Sequence, residues 1–336
     1  MSKNGKFTQA KLIVNPGAGN PTESQANLQL AVRSLQEHGI KVDVAFAKPK
    51  AEAIPIVKQA VKDGYKLIIA MGGDGTIEAA LRGVVGSKAR LGMIRAGSEN
   101  NLAKSLGIPE KIEDACNLIA SNSRRKLDMG QIKMKGQKKF YFFELVAIGL
   151  VSALYHEAND IKEGRLSRIK DAALTLLQEE TRPTVHLTLD DESKIEIETM
   201  LVVVSNTPMF GKGFLVAPNA SLDDGLLEVS IYPDFSKAEL LAYYAKIMNE
   251  GYSENDKVQR FRARKVEVKT SPKLDILADG ITLGQGKVEI KSRQAAVTVI
   301  APEPSTETLT KKDELAEVPA PVYPSEEKAV LEEISS

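Results

Sequence analysis

From Lys11 to Asn122, short apolar runs alternate with stretches of helical period. Lys11 to Val14 is the first run, and Leu28, Ala31, Val32 and Leu35 then recur at helical spacing until Gly39 stops them. Ile40 to Phe46 alternates like a strand, Ala51 to Lys62 reads as a helix, and Leu67 to Ala70 is again a strand. A helix is expected to begin near Thr76 and run through Ile77 to Val85; Leu91 to Ile94 then reads as a strand, and Leu102 to Leu106 and Glu110 to Asn122 as helices. This order predicts a mostly parallel sheet with helices on both faces. Ligands of such a sheet sit at the carboxyl ends of its strands.

After Arg124 the pattern changes. Strand-like segments cover Lys126 to Ile132, Phe140 to Ala147, Val185 to Leu189, Lys194 to Val204, Leu226 to Tyr232, Lys265 to Lys269, Lys287 to Ile290 and Ala296 to Ile300. Helical stretches are expected only within Leu166 to Gln178 and Lys237 to Asn249. In the second of these, Leu240, Leu241, Tyr243, Tyr244 and Ile247 make a greasy face that packs on the sheets or touches a bilayer. Clustered strands predict an antiparallel β-sandwich beside the α/β domain. Beyond Pro302 the chain is rich in Pro, Glu, Lys and Thr, a composition expected to be disordered.

A length of 336 residues suits about two domains with cores of their own. The longest greasy stretch, Tyr141 to Tyr155, is broken by Glu144 and Gly149 and falls short of the roughly 18 to 20 apolar residues of a membrane span. A single cysteine, Cys116, excludes an intramolecular disulfide, and Met1 to Ala10 has no apolar signal-peptide core, so a cytoplasmic protein is expected, one whose contact with membranes, if it makes any, is peripheral. The zero net charge hides an asymmetry: from Glu303 onward nine acidic residues face three lysines, leaving the body positive. Its cations gather at Arg124, Arg125, Lys126, Lys133, Lys135, Lys138 and Lys139, and at Arg260, Arg262, Arg264 and Lys265. These are either solvated strand edges or a surface for anionic lipid head groups, where each cation is worth about 1 kcal/mol.

Three strand ends carry loops suited to phosphate. Met71-Gly72-Gly73-Asp74-Gly75-Thr76 has glycines that let backbone N–H groups approach an anion, a helix that follows, and an aspartate able to hold a cation. Asn15-Pro16-Gly17-Ala18-Gly19-Asn20 ends the first strand with turn chemistry. The third loop, Gly97-Ser98-Glu99-Asn100-Asn101, offers a hydroxyl and amides, or merely caps a helix. In the second domain, Asn206-Thr207-Pro208 leaves a strand, Ala217 to Gly225 ends in the adjacent carboxylates Asp223 and Asp224, and Ala278-Asp279-Gly280-Ile281 reads as a hairpin turn. The Asp-Asp-Gly turn is either only a turn or a seat for a hard cation. His38, His156 and His186 lack metal-ligand spacing.

Taken together, these stretches resemble the diacylglycerol kinase catalytic domain family, especially its bacterial lipid kinases of the diacylglycerol and sphingosine kinase type. The markers are Asn15-Pro16 with Gly19, Gly72 to Thr76, Gly97 to Asn101, Leu127-Asp128-Met129-Gly130, Asn206-Thr207-Pro208, and Ala217-Pro218-Asn219-Ala220 running into Leu222 to Leu227. The resemblance implies an NAD kinase- or phosphofructokinase-like α/β nucleotide-binding domain over residues 1–125 with a return segment near 293–302, a β-sandwich lipid domain over 126–292, and an acidic tail over 303–336. It implies ATP and Mg²⁺ as cofactors and a lipid hydroxyl phosphorylated in the interdomain cleft. Asn15, Pro16, Gly19, Gly72, Gly73, Asp74, Gly75, Thr76, Gly97, Ser98 and Asn100 would shape the nucleotide site. Asp224, with carbonyls of Ser221 and Leu226, would hold a structural Mg²⁺, and Asp74 and Asp279 would be catalytic. The partners implied are a lipid at a membrane surface, no nucleic acid, and a possible homodimer.

Five positions depart from the family. Glu78 replaces asparagine, Arg95 replaces proline, Ser98 replaces threonine, Asn101 replaces aspartate, and Ile281 stands where the family's proposed general-base glutamate is common. Phosphoryl transfer depends on positioning and charge neutralisation more than on covalent chemistry, so a lipid kinase remains the principal expectation. Beside it stand a nucleotide- or lipid-binding member without turnover and a kinase for a soluble acceptor such as NAD.

Overall fold

The structure is a computed structural model that describes residues 8–17, 21–47, 50–97, 99–150, 182–210, 214–250 and 254–303. The chain forms two compact units, the first built from the segment ending at Asp128 and resumed at Ala295, the second from Met129 to Gln294. Gly19, Ser98, Leu166 to Gln178, His156 and the segment beyond Glu303, for which the sequence sets expectations, lie outside the described residues.

The first unit alternates β1 (Gln9–Val14), α1 (Pro21–Glu37), β2 (Lys41–Phe46), α2 (Lys50–Lys62), β3 (Leu67–Gly72), α3 (Asp74–Val84), β4 (Arg90–Arg95), α4 (Asn101–Ser105) and α5 (Ile112–Ser121). Its strands lie parallel in the order β2, β1, β3, β4. All six residues of β3 are buried, as a central parallel strand covered on both faces requires. The chain first winds from β1 outward to β2 and then returns past β1 to β3, so right-handed crossovers place α1 and α2 on opposite faces. α1 packs on α5, and α2 on α3. That second contact depends on Gly83, where a Cβ would stand 2.4 Å from Cγ1 of Val57. The reversal between β1 and β3 is a topological switch point, and it brings Asn15 and Gly73 to neighbouring strand ends.

The second unit is antiparallel. β5 (Arg124–Met134) pairs with β6 (Phe140–Phe142) and with β18 (Val288–Ile300), and β18 continues through β15 (Lys265–Ser271) and β8 (Thr184–Leu189) to β9 (Ser193–Glu198). A second sheet runs β14 (Gln259–Ala263), β13 (Leu227–Ile231), β10 (Leu201–Ser205), β7 (Leu145–Gly149), β16 (Asp275–Ala278), β17 (Ile281–Gln285). β11 (Met209–Phe210) and β12 (Phe214–Leu215) form a separate ribbon. Alternate residues decide which side of the second sheet is which. Val146, Ile148, Val202 and Val204 join Val185, Leu187, Val266 and Ile290 of the first sheet in one core, whereas Leu145, Ala147, Leu201 and Val203 meet α6 (Lys237–Glu250) on the other face. Leu240, Tyr243 and Ile247 are buried there, which settles the greasy helix as packing.

Several expected boundaries move. α3 starts at Asp74 rather than Thr76, with Gly73 as its extended N-cap. The stretches from Phe140 to Ala147 and from Lys194 to Val204 each split into two strands, and the two segments from Lys287 to Ile300 fuse into β18. The strand β14 carries Arg260 and Arg262, which the apolar pattern did not mark as sheet. Among the described residues no helix is long and apolar enough to cross a membrane.

Candidate functional site

In the first unit the Gly72 and Gly97 loops meet backbone to backbone. A Cβ on Gly97 would stand 2.4 Å from Cα of Gly73 and 3.0 Å from its nitrogen, and a Cβ on Gly72 would stand 2.5 Å from Oγ1 of Thr76. Only glycine permits both approaches. Register explains the meeting: β3 and β4 end together, Gly72 opposite Arg95, and the N–H of Ala96 donates to the carbonyl of Gly72 at 3.1 Å.

Asn100 fixes the third loop. Its Oδ1 accepts the N–H of Gly97 at 3.0 Å, its Nδ2 donates to the carbonyl of Gly97 at 2.7 Å, and its own backbone is left-handed at φ 54°. Asp74 ties the second loop to the third, since its Oδ1 accepts the N–H of Leu102 at 3.1 Å. The Asn15 loop joins at the switch point, where the N–H of Asn15 donates to Met71 at 3.2 Å and Oδ1 of Asn15 accepts from Gly17 at 3.1 Å. Pro16 lies in that turn, and Thr76 is buried in the first turn of α3. The structure therefore brings together Asn15, Pro16, Gly72, Gly73, Asp74, Gly75, Thr76, Gly97 and Asn100 at one sheet edge, at the positive end of the 11-residue α3. Two departures lie close by. Glu78 and Arg82 form a buried pair at 3.7 Å within α3, and Arg95 reaches the carbonyl of Ile108 at 3.4 Å and Glu110 at 3.5 Å.

In the second unit Asp279 and Gly280 make a two-residue hairpin between β16 and β17, with φ of 44° and 73°. Positive φ at both centres is the turn that Asp-Gly favours. Asp279 is buried, and its carboxylate accepts three backbone N–H groups: Phe143 on Oδ2 at 2.7 Å, Glu144 and Leu145 on Oδ1 at 2.9 and 3.2 Å. Asn206 holds the same segment from its other side, Nδ2 donating to the carbonyl of Phe143 at 2.9 Å and the backbone N–H to that of Glu144 at 2.8 Å. These bonds produce the break between β6 and β7. They also make Asp279 a strut of this hairpin, with both carboxylate oxygens engaged by backbone N–H groups. Ile281, next in the hairpin, is 39% exposed and carries no acceptor.

The expected metal turn is arranged differently from the expectation. Oδ1 of Asp224 accepts the N–H of Leu226 at 2.9 Å, Oδ2 pairs with the guanidinium of Arg262, and Oγ of Ser221 donates to Asp223 at 2.7 Å. A carboxylate already bound to a guanidinium does not fit a divalent ion. Beside it Glu228 is wholly buried, accepts the N–H of Asn219 at 2.8 Å and lies 3.2 Å from Arg260. Burial pushes its carboxyl up to about 7 against the opposing pull of Arg260. Lys265 pairs with Asp191. Arg260, Arg262 and Lys265 therefore pair with carboxylates of the second unit.

Comparison with known proteins bears on both units. Residues 9–132 match the diacylglycerol kinase catalytic domain, and residues 145–301 match the YegS C-terminal NAD kinase beta sandwich-like domain. The chain therefore carries a diacylglycerol kinase catalytic domain followed by a YegS-type C-terminal domain. A diacylglycerol kinase of Mycobacterium tuberculosis is 29% identical over 301 residues, covering 89% of this chain and 96% of its own length. One from Bacillus subtilis is 26% identical over 308 residues, covering 90% and 99%. The "Probable lipid kinase YegS" of Escherichia coli is 26% identical over 232 residues, covering 68% and 75%. A solved diacylglycerol kinase from Bacillus anthracis shares the fold, with a TM-score of 0.67 at 22% identity over 88% of this chain and 98% of that one. The architecture agrees with an NAD kinase-like two-domain fold: an N-terminal domain with a mixed sheet, followed by an antiparallel C-terminal domain.

Proposed function

We propose that this protein is an ATP-dependent lipid kinase that transfers the γ-phosphate to the hydroxyl of a diacylglycerol-like acceptor at a membrane surface. The observation that carries the reading is the contact of Gly73 with Gly97, which builds a side-chain-free cradle at the amino end of α3. Such a cradle binds phosphate through backbone N–H groups and the helix dipole. The Asn15 turn borders it, and Asp74, anchored through Leu102, is the carboxylate that would hold the Mg²⁺ accompanying ATP. That ion, when bound, offsets phosphate charge. Within the second unit, Asp279 fixes the segment from Phe143 to Leu145. The relatives named as diacylglycerol kinases support this acceptor class over NAD.

Radiolabelled ATP with mixed lipid vesicles tests the proposal, and NAD offered in parallel separates lipid from soluble acceptors. Labelled lipid is expected from the wild type and not from Asp74→Ala. Equal incorporation by the two would refute the assignment.

A second reading rests on Ile281 together with the fully engaged Asp279: a member that binds nucleotide or lipid without turnover. It predicts saturable ATP binding with no labelled lipid from any acceptor.

A further inference from the structure

Arg262 lies on β14 directly opposite Glu228 of β13, yet its guanidinium passes Glu228 and meets Oδ2 of Asp224 in the turn that precedes β13. Arg260, two residues away and so on the same face of β14, meets Glu228. The patch thus sets two guanidiniums against Asp224 and Glu228, with Asp223 in the same turn held by Ser221.

The turn is also closed at the backbone. Leu226 presents its N–H to Asp224, Asn219 presents its N–H to Glu228, and Gly225 adopts φ 77°, a left-handed conformation suited to glycine. A divalent ion on Asp224 would have to displace one guanidinium and stand close to the other. Both encounters are repulsive in a site only partly open to water, where side-chain exposures of Arg262 and Asp224 are 29% and 26%.

We propose that Arg262 is the resident cation of this turn, replacing the structural divalent ion that the chain's resemblance implies at Ser221, Asp224 and Leu226. The second unit then folds without such an ion, and its stability does not respond to chelation. This holds whether or not the protein transfers phosphate, so its failure and that of the kinase reading are separable.

Full-length protein free of nucleotide is tested by calorimetric unfolding with EDTA or millimolar Mg²⁺, and by electron paramagnetic resonance with Mn²⁺. The wild type is expected to show the same Tm in both media, and Asp224→Asn to leave Mn²⁺ stoichiometry unchanged. A Mg²⁺-dependent rise in Tm, or loss of one Mn²⁺ equivalent in Asp224→Asn, would overturn the assignment. Arg262→Ser, which bares the carboxylate, is expected to acquire Mg²⁺-dependent stability, while Arg262→Lys stays indifferent to the ion. A folded Arg262→Ser that ignores Mg²⁺ also counts against the proposal, and if that variant does not fold, the Mn²⁺ comparison decides.

Discussion

Gly97 leaves no room for a side chain above Gly73: a Cβ there would stand 2.4 Å from the neighbouring α-carbon. Backbone lies on both sides of the contact, so neither partner can yield by rotating a side chain. Gly97→Ala is therefore expected to force the two loops apart, weakening ATP binding tenfold or more, a loss of about 1.4 kcal/mol. Titration calorimetry with ATP measures it, and an unchanged Kd would show that the contact is incidental to nucleotide binding.

Asp279 accepts three N–H groups, two of them from buried residues. Removing the carboxylate leaves those donors without this acceptor, and each loss costs about 1–3 kcal/mol when the group is buried. Asp279→Ala is expected to lower stability by roughly 3 kcal/mol or more, read as a drop in the urea midpoint, with activity falling in step. A variant that keeps its midpoint and loses only turnover would instead reveal a catalytic carboxylate.

Ile281 projects from the same hairpin and is 39% exposed, so a glutamate can be placed there with little strain. Ile281→Glu is expected to leave Tm nearly unchanged and to raise kcat about tenfold or more, the low end or below of what a positioned base contributes. A pH–rate profile that gains an acidic limb is the accompanying signature.

Ser236 and Glu239 form a capping box at the start of α6. Oε2 of Glu239 accepts the N–H of Ser236 at 2.8 Å, and Oγ of Ser236 accepts the N–H of Glu239 at 3.2 Å. Ser236→Ala is expected to cost about 1 kcal/mol. Lys257, at 2.9 Å, and the cap hold the Glu239 carboxyl down to about 2. A depressed carboxyl stabilises the fold above its unfolded value and loses that contribution as pH falls from about 4.5 to about 2. Lys257→Met should shift the Glu239 titration upward, followed by carboxyl NMR, and move acid unfolding to higher pH.

The glycine-rich strand-end loops were legible in the sequence because glycine and asparagine mark turns that need backbone freedom or short amides. Alternation of β and α segments fixed the parallel sheet for the same reason that it fixes the switch point: right-handed crossovers leave few alternatives. The start of α3 was misjudged because Gly73, Asp74 and Gly75 have poor helix propensity, whereas Asp74 suits the positive first turn. Phe140 to Ala147 looked like one strand because the break at Phe143 and Glu144 is made by Asp279, far along the chain. The strand β14 was overlooked because Arg260 and Arg262 read as surface charge until Glu228 and Asp224 stand opposite them.

By itself, then, the sequence determined the two-part architecture, the three glycine-rich strand ends and the Asp-Gly hairpin, since each depends on local propensity or on a short-range period. Only the tertiary structure decided that Gly73 meets Gly97, that Asp279 spends its oxygens on the Phe143 segment, and that Arg262 pairs with Asp224. Those outcomes depend on which distant atoms compete for the same lone pairs or the same space, and no local pattern encodes that competition.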